Sequence, residues 1–188
     1  FEDNKVFDQN ITGWDVSSIR DFSGMFARAT SFDRPIGTWD MSMAVDLAYM
    51  FDGAESFNQD IGGWDVSGVT SFRGAFRAAR AFSYSLGDWD TSGATTFRAM
   101  FYDMDYNHDL SGWDTSSATA MDYMFSANAT FDQDISGWDV SSVEQFSRMF
   151  AGNTAFNQDI SGWNVSGISQ FTNTFKNATS FSQDLSGW

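Results

Sequence analysis

Aromatic side chains recur along the chain with a period of 25 residues, shortened once to 24. Three aromatic columns share this period and keep a constant phase relative to one another. A unit of this length cannot bury three aromatic side chains by itself, so the pattern predicts that successive units stack into one continuous core. The predicted core residues are Trp14, Trp39, Trp64, Trp89, Trp113, Trp138, Trp163, Phe26, Phe51, Phe76, Phe101, Phe125, Phe150 and Phe175.

Each unit is predicted to contain one short helix and one short strand. After the tryptophan, the apolar residues Val143, Phe146, Met149 and Phe150 follow a helical spacing. In the other half of the unit, the segment FDQDI at 131–135 has the pattern of an extended strand. The sequence therefore predicts an α/β solenoid, a leucine-rich-repeat-like right-handed array of about seven and a half coils with one short parallel strand and one short helix per coil.

The whole chain, residues 1–188, is predicted to be a single array of coils that begin near residues 7, 32, 57, 82, 106, 131, 156 and 181. Both ends fall inside a coil and would expose aromatic columns, whereas the ends of repeat arrays are normally capped. We therefore expect either a fragment of a longer chain or end-to-end self-association of copies. The fourth coil lacks one residue between Phe101 and Tyr106, so an irregularity is expected there.

The repeat also carries a specific signature. It includes WDVSSI at 14–19, WDVSGV at 64–69, WDVSSV at 138–143, and FNQDI at 57–61 and 156–160. These segments resemble the repeats of BspA-like (DUF285-like) surface proteins, a leucine-rich-repeat-related group of bacteria and protists. The resemblance covers essentially the whole chain. It implies a place on a cell surface or in an extracellular matrix, with adhesion or scaffolding as the expected role, and it implies no reaction.

Composition narrows the range of partners. The formal net charge is −15, from 25 acids and 10 bases, which opposes binding to nucleic acid or to an anionic membrane. No apolar run approaches the roughly 20 residues of a membrane-spanning helix. Cysteine is absent, which excludes disulfides and thiolate metal sites. Serine and aspartate recur in every coil instead of forming one singular cluster, so we expect neither enzymatic activity nor a cofactor, with calcium as the only candidate ion.

Two columns of aspartates are the candidate ion ligands. Stacked carboxylates repel one another unless they are neutralised, and carboxylate and carbonyl oxygens are preferred calcium ligands. The column four residues before the tryptophan is therefore the candidate calcium site, with Asp60, Asp134, Asp159 and Asp184 as its ligands. In the column directly after the tryptophan, Asn164 replaces aspartate, which favours an Asx cap that accepts hydrogen bonds from backbone N–H groups.

Asparagines give two further expectations. Sequons at Asn10, Asn128, Asn164 and Asn177 permit glycosylation in a eukaryotic secretory route, and Asn10 and Asn177 are the candidate acceptors. Asn128 and Asn153 occupy a column that is small and apolar in most other coils. They are predicted to point inward and to satisfy buried backbone groups, which would bury the sequon at Asn128.

Two functions are consistent with these features. The first is a non-catalytic structural or adhesive module at the cell surface or outside the cell, a scaffold or rod that contacts a protein or glycan on a surface or matrix. The alternative is a calcium- or glycan-binding recognition module that uses the acidic strand face. Arg73, Arg77 and Arg80 form a basic stripe that is either a docking point for an acidic partner or a solvated face that relieves negative charge.

Overall fold

The computed structural model describes residues 1–188 as a stack of coils, in which the phenylalanine rings of the Phe26 column lie against their counterparts one repeat away. The ring centroids of Phe26 and Phe51 are 5.7 Å apart, and those of Phe51 and Phe76 are 5.5 Å apart. The rings of Trp64 and Trp89 stack at 6.5 Å with an angle of 8° between their planes. The columns form one continuous cluster of 49 buried residues, so the coils complete one another's core.

The predicted α/β solenoid with a strand and a helix in each coil was wrong. The chain contains no helix, and its only β pairing consists of single-residue parallel bridges between successive coils. These bridges join seven residues in order along the stack, namely Asp21, Asp46, Ser71, Thr96, Ala120, Gln145 and Gln170.

A succession of tight turns replaces the predicted helix. In the first complete unit, the N–H groups of Met25, Ala27 and Ala29 each donate to the carbonyl three residues earlier. The alternate N–H groups leave the coil instead: those of Gly24 and Phe26 donate to Ala48 and Met50 of the next coil. An α-helix would direct every one of these bonds to the residue four positions earlier. Half of the backbone N–H groups in this run of turns therefore form hydrogen bonds that hold neighbouring coils together.

The turns reproduce the hydrophobic spacing of a helix, which explains the wrong prediction. Phe22, Met25, Phe26 and Ala29 point into the core at positions i, i+3, i+4 and i+7, as on one helical face. Between them, Gly24 and Arg28 have φ values of 63° and 58°. A positive φ at the third position of a turn is the requirement of type II, and it cannot occur inside an α-helix.

Every tryptophan after Trp14 adds a hydrogen bond between coils. The indole N–H of Trp64 donates to the carbonyl of Ile36 at 3.2 Å, and that of Trp89 donates to Ile61 at 3.2 Å. The tryptophans from Trp39 to Trp163 are buried, whereas Trp14 in the first coil is 48% exposed and donates no such bond. Of the predicted phenylalanines, Phe175 is only partly buried, and the others are buried.

Asn128 and Asn153 point inward as predicted and are completely buried. The side-chain oxygen of Asn153 accepts the N–H groups of Ala155 and Phe156, and its amide nitrogen donates to the carbonyl of Phe131 at 3.1 Å. Asn128 makes the equivalent bonds one coil earlier. The prediction that these asparagines satisfy buried backbone groups is confirmed, and the sequon at Asn128 is inaccessible in the folded chain.

The irregularity predicted in the fourth coil is also confirmed. In the second coil, the N–H of Ala54 donates to the carbonyl of Phe51 and closes the last turn. The equivalent bond from Met104 to Phe101 is missing. Tyr106 fills the phenylalanine column here, and its hydroxyl accepts the N–H of Leu86 at 3.1 Å.

Candidate functional site

The four aspartates predicted to bind calcium are exposed, and each forms a local turn. A side-chain oxygen of Asp134 accepts the N–H of Ser136 at 2.9 Å, and Asp159 does the same with Ser161 at 3.0 Å. Asp60 and Asp184 accept the N–H groups two residues on in the same way. The bonds from the following serine lower the pKa of the Asp134, Asp159 and Asp184 carboxyl groups.

No group of three or more His, Asp or Glu side chains converges closely enough to hold a metal ion. Each of the predicted ligands already has a backbone partner that satisfies one carboxylate oxygen. A calcium ion normally takes six to eight oxygen ligands, so this column would need further ligands from elsewhere.

The aspartates that follow the tryptophans form the predicted caps. The side-chain oxygen of Asp65 accepts both the N–H and the hydroxyl of Ser67, at 3.1 and 2.7 Å. Asn164 makes the same pair of bonds with Ser166, which shows that the position requires an acceptor and not a charge. The cap begins a turn and not a helix. The other members of the column are Asp15, Asp40, Asp90, Asp114 and Asp139.

A ladder of side-chain amides between coils was missed by the sequence analysis. The side-chain oxygen of Asp132 accepts the backbone N–H of Asn157, 25 residues on, at 2.9 Å. The side-chain amide of Gln158 donates to the same oxygen at 2.9 Å. Asn157 in turn accepts from Ser182 and Gln183. The recurring FNQ and FDQ triplets could have indicated this role, because the second and third residues recur together in four of the eight coils.

One exposed tyrosine breaks this ladder. Tyr84 stands in the glutamine column and is 40% exposed. Two hollows meet at its side chain. The first has a volume of about 590 Å³ and is also lined by Asp60, Asp65 and Asp88. The second has a volume of about 420 Å³ and is also lined by Asp60 and Thr12. An exposed aromatic ring among carboxylates is the combination with which proteins bind the apolar face and the hydroxyl groups of a sugar.

The chain carries its positive charge on one face. We call the outward side of the tight turns, at 23–28, 48–53, 73–78, 98–103, 122–127, 147–152 and 172–177, the turn face. It contains six of the ten bases and three of the 25 acids, and so a net charge of +3, while the rest of the chain has a net charge of −18. The six bases are Arg28, Arg73, Arg77, Arg98, Arg148 and Lys176.

A hollow of about 290 Å³ lies in the middle of the turn face. Along one column of the stack, the residues of coils two to five are Tyr49, Gly74, Ala99 and Tyr123. The two small residues leave a gap between the two tyrosines, and the ring of Tyr49 lies across Gly74, where an added Cβ atom would be 2.6 Å from the ring. We call this gap the tyrosine hollow. Its lining consists of Tyr49, Arg73, Arg77, Arg98, Ala99, Tyr102 and Tyr123.

Two of the arginines that line the hollow are held by buried carboxylates. Two of the three guanidinium nitrogens of Arg77, Nε and one terminal nitrogen, donate to the Asp52 carboxylate at 2.7 Å, and Nε of Arg98 lies 2.9 Å from Oδ2 of Asp122. The bonds to Asp52 raise the pKa of Arg77, and burial raises the pKa of Asp122. Oδ1 of Asp122 is buried without a hydrogen-bond partner.

Arg73 lines the hollow without a carboxylate partner. Its guanidinium carbon lies 5.5 Å from the centre of the Tyr49 ring, and that of Arg77 lies 5.8 Å from the same centre. Arg148 lies in the same relation to Tyr123, at 5.5 Å. Of the basic stripe predicted from sequence, Arg73 and Arg77 thus belong to the hollow. Arg80 does not line it and pairs with Asp103 at 2.6 Å.

The two candidate glycosylation sites lie at the surface. Asn10 is exposed, and its side-chain oxygen accepts the N–H of Thr12, the third residue of its own sequon. Asn177 is exposed in a turn with φ of 61°. No helix in the chain is long and apolar enough to cross a membrane.

These features define a repeat protein built of stacked, turn-rich coils around aromatic columns. A family model described as "Mycoplasma protein of unknown function, DUF285" matches the chain twice, over residues 1–106 and 85–188. The chain belongs to this family. No curated protein and no solved structure has a significant match.

Proposed function

We propose that the chain is a non-catalytic structural and adhesive module of a cell surface or extracellular matrix, a rod that serves as a scaffold for protein interactions. The proposal rests on the observation that the residues repeated in each coil hold the fold together. The tryptophan, the aspartate caps and the FNQ ladder all make bonds within or between coils. We therefore expect partners to be recognised by the residues that vary from coil to coil. On the turn face, these variable residues include six of the ten bases.

Kinship with BspA-like surface proteins is part of this proposal. It is supported by the repeat signature, and the architecture without helices sets the chain apart from a leucine-rich-repeat array. The surface location is tested by labelling intact cells that express the protein with antibodies against this chain. Labelling of intact cells is the expected result. Labelling that requires permeabilisation of the cells would contradict the proposal.

Self-association through the ends of the stack is a further element of the proposal. Large apolar side chains are exposed mainly at the two ends, with Phe1, Trp14 and Ile19 at one end and Phe171 at the other. Contact between the ends of two copies would bury these rings, as further coils of a longer chain would. Light scattering coupled to size-exclusion chromatography is expected to show a mass that rises with concentration, and a monomer at every concentration would refute this element.

The second candidate function is recognition of an uncharged glycan at Tyr84. The two hollows that meet at this exposed ring support it, as do the carboxylates of Asp60, Asp65 and Asp88 that face them. Glycan-array binding is expected to be lost in Tyr84→Gln, which restores the residue usual in that column. Tyr102→Gln, on the turn face, is the control and is expected to retain binding. Equal loss in both variants would exclude the Tyr84 hollows as the site.

A further inference from the structure

The tyrosine hollow holds three guanidinium groups, those of Arg73, Arg77 and Arg98, against two carboxylates. Asp52 and Asp122 form ion pairs with Arg77 and Arg98, whereas Arg73, which attracts Asp122 only at longer range, forms no ion pair of its own. The rest of the chain holds 22 acids and only four bases. An arginine left without a carboxylate in so acidic a protein is available to a carboxylate from outside.

The column of the stack that contains Tyr49 and Tyr123 has the same backbone conformation in every coil. The turn requires a positive φ in the column that contains Gly24 and Gly74, where glycine accepts it without strain. The same column contains Tyr49, Tyr123 and Arg148 with φ values of 57°, 62° and 59°. Every coil has a positive φ in this column, so the conformation is a requirement of the turn, and the hollow differs from the rest of the column in the side chains that it places there. These three residues also form the contacts between arginine and tyrosine that line or flank the hollow.

We propose that the tyrosine hollow binds a short acidic peptide segment of a partner protein. A carboxylate of the segment pairs with Arg73, and its neighbouring side chain packs between the rings of Tyr49 and Tyr123. The inference rests on the proposed function, since it names the surface and the partner chemistry of a protein-interaction rod. Asp52 and Asp122 act as positioning residues, because they hold Arg77 and Arg98 at the wall of the hollow and leave Arg73 free.

The size of the hollow and the charge of the chain favour a short peptide over a long polyanion. A volume of about 290 Å³ is at the lower end of the roughly 300–1,000 Å³ that is usual for ligand sites, so it accommodates a few side chains. A long polyanion would extend beyond the turn face towards surfaces with a net charge of −18 and would be repelled there. A segment with one or two carboxylates meets only the positive face.

The test is an NMR-monitored titration of the intact chain with two capped peptides, GEFEFG and its uncharged counterpart GQFQFG, at low ionic strength. We expect the glutamate peptide to bind about tenfold more tightly, because a carboxylate forms a stronger, charge-assisted hydrogen bond with the guanidinium of Arg73 than a neutral amide does. Arg73→Gln is expected to weaken binding of the glutamate peptide by about tenfold. The matched control is Arg20→Gln, which removes an exposed arginine outside the hollow and is expected to change the affinity less than twofold.

A second variant tests the site without a change of charge. Gly74→Ala places a methyl group against the ring of Tyr49 and displaces it, so the peptide is expected to bind at least threefold more weakly. The circular dichroism spectrum of each variant reports whether it remains folded. If Gly74→Ala does not fold, the comparison of Arg73→Gln with Arg20→Gln still decides the question.

Three outcomes would overturn the proposal: equal affinity for the two peptides, equal loss in Arg73→Gln and Arg20→Gln, or stronger binding of an oligogalacturonide than of the peptide. The last result would make the hollow a site for an anionic glycan. Antibody labelling of intact cells does not depend on Arg73. A failed titration with retained surface labelling would therefore refute the hollow alone, whereas absent labelling would refute the proposed function.

Discussion

The indole N–H of Trp138 donates to the carbonyl oxygen of Leu110 in the preceding coil, at a distance of 3.0 Å. The same carbonyl also accepts the backbone N–H of Trp113, which turns the chain within its own coil. One buried oxygen thus joins the local turn to the next coil. The tryptophan column therefore links the coils by direct bonds, in addition to filling the core.

Trp138→Phe is expected to destabilise the chain by about 1–3 kcal/mol, because it removes this bond and leaves a small cavity. The control is Trp14→Phe, since Trp14 is half-exposed and donates no such bond. That change is expected to stay within about 0.5 kcal/mol. Urea unfolding followed by circular dichroism measures both variants, and equal losses would show that the indole bond contributes nothing beyond ring burial.

Asn153→Ala is expected to destabilise the chain by about 1–3 kcal/mol, because the buried amide satisfies two backbone N–H groups and one carbonyl. In the second coil the equivalent residue is Ala54, and there the N–H of Phe57 donates to the Ala54 carbonyl instead. The backbone of the variant can adopt this arrangement, which limits the loss. Asn4→Ala, at an exposed site, is the control. If Asn153→Ala were as stable as Asn4→Ala, the backbone would have adopted the arrangement seen at Ala54 without loss of unfolding free energy.

The sequence predicted the contents of the core better than the path of the backbone. The aromatic period identified the buried columns because a residue that must meet its counterpart one coil away has to recur in phase. The helix prediction failed because Phe22, Met25, Phe26 and Ala29 have the same spacing in a run of tight turns as on a helix. Hydrophobic spacing reports which side chains point inward, and it does not report where the backbone N–H groups donate.

The tyrosine hollow was only partly visible in the sequence. The stripe of Arg73, Arg77 and Arg80 was recognised, but on a helix Arg80 would have followed the other two along one face. In the turns it pairs with Asp103 instead. The residues that frame the hollow, Tyr49 and Tyr123, lie 74 positions apart in the chain. Only the stacking register places them in one column, with Gly74 and Ala99 between them.

Thermal melts in EDTA and in millimolar calcium are expected to superimpose, because the carboxylates of the Asp60 column serve as turn acceptors and no three acidic groups converge. A calcium site of about 10 μM affinity at 1 mM calcium would instead add about 2.7 kcal/mol and raise the midpoint by a few degrees. Magnesium at the same concentration is the control for ionic strength. A shift specific to calcium would restore the acidic column as a metal site.

The buried carboxylate of Asp122 should make stability depend on pH above about 4. Burial raises its pKa in the folded chain, so between the unfolded value of about 3.9 and the folded value the native state binds more protons than the unfolded state. In that window the unfolding free energy of the natural chain rises, relative to Asp122→Asn, as the pH falls. Urea unfolding of both proteins from pH 7 to pH 4 measures the difference, and a difference independent of pH would contradict the prediction.

Asp139→Asn provides the matched control, because the pKa of Asp139 is shifted in the opposite direction and its effect on stability falls in a different pH range. Hydrogen bonds from Ser141 lower the pKa of the Asp139 carboxyl group, so its contribution to stability is present above about pH 3.9 and is lost as the pH falls through the folded value. Asparagine fills the same position at residue 164 and makes the same bonds. The variant is therefore expected to parallel the natural chain from pH 7 to pH 4 and to become the more stable of the two only below that range. Parallel curves down to pH 2 would show that the charge of the cap does not contribute to stability.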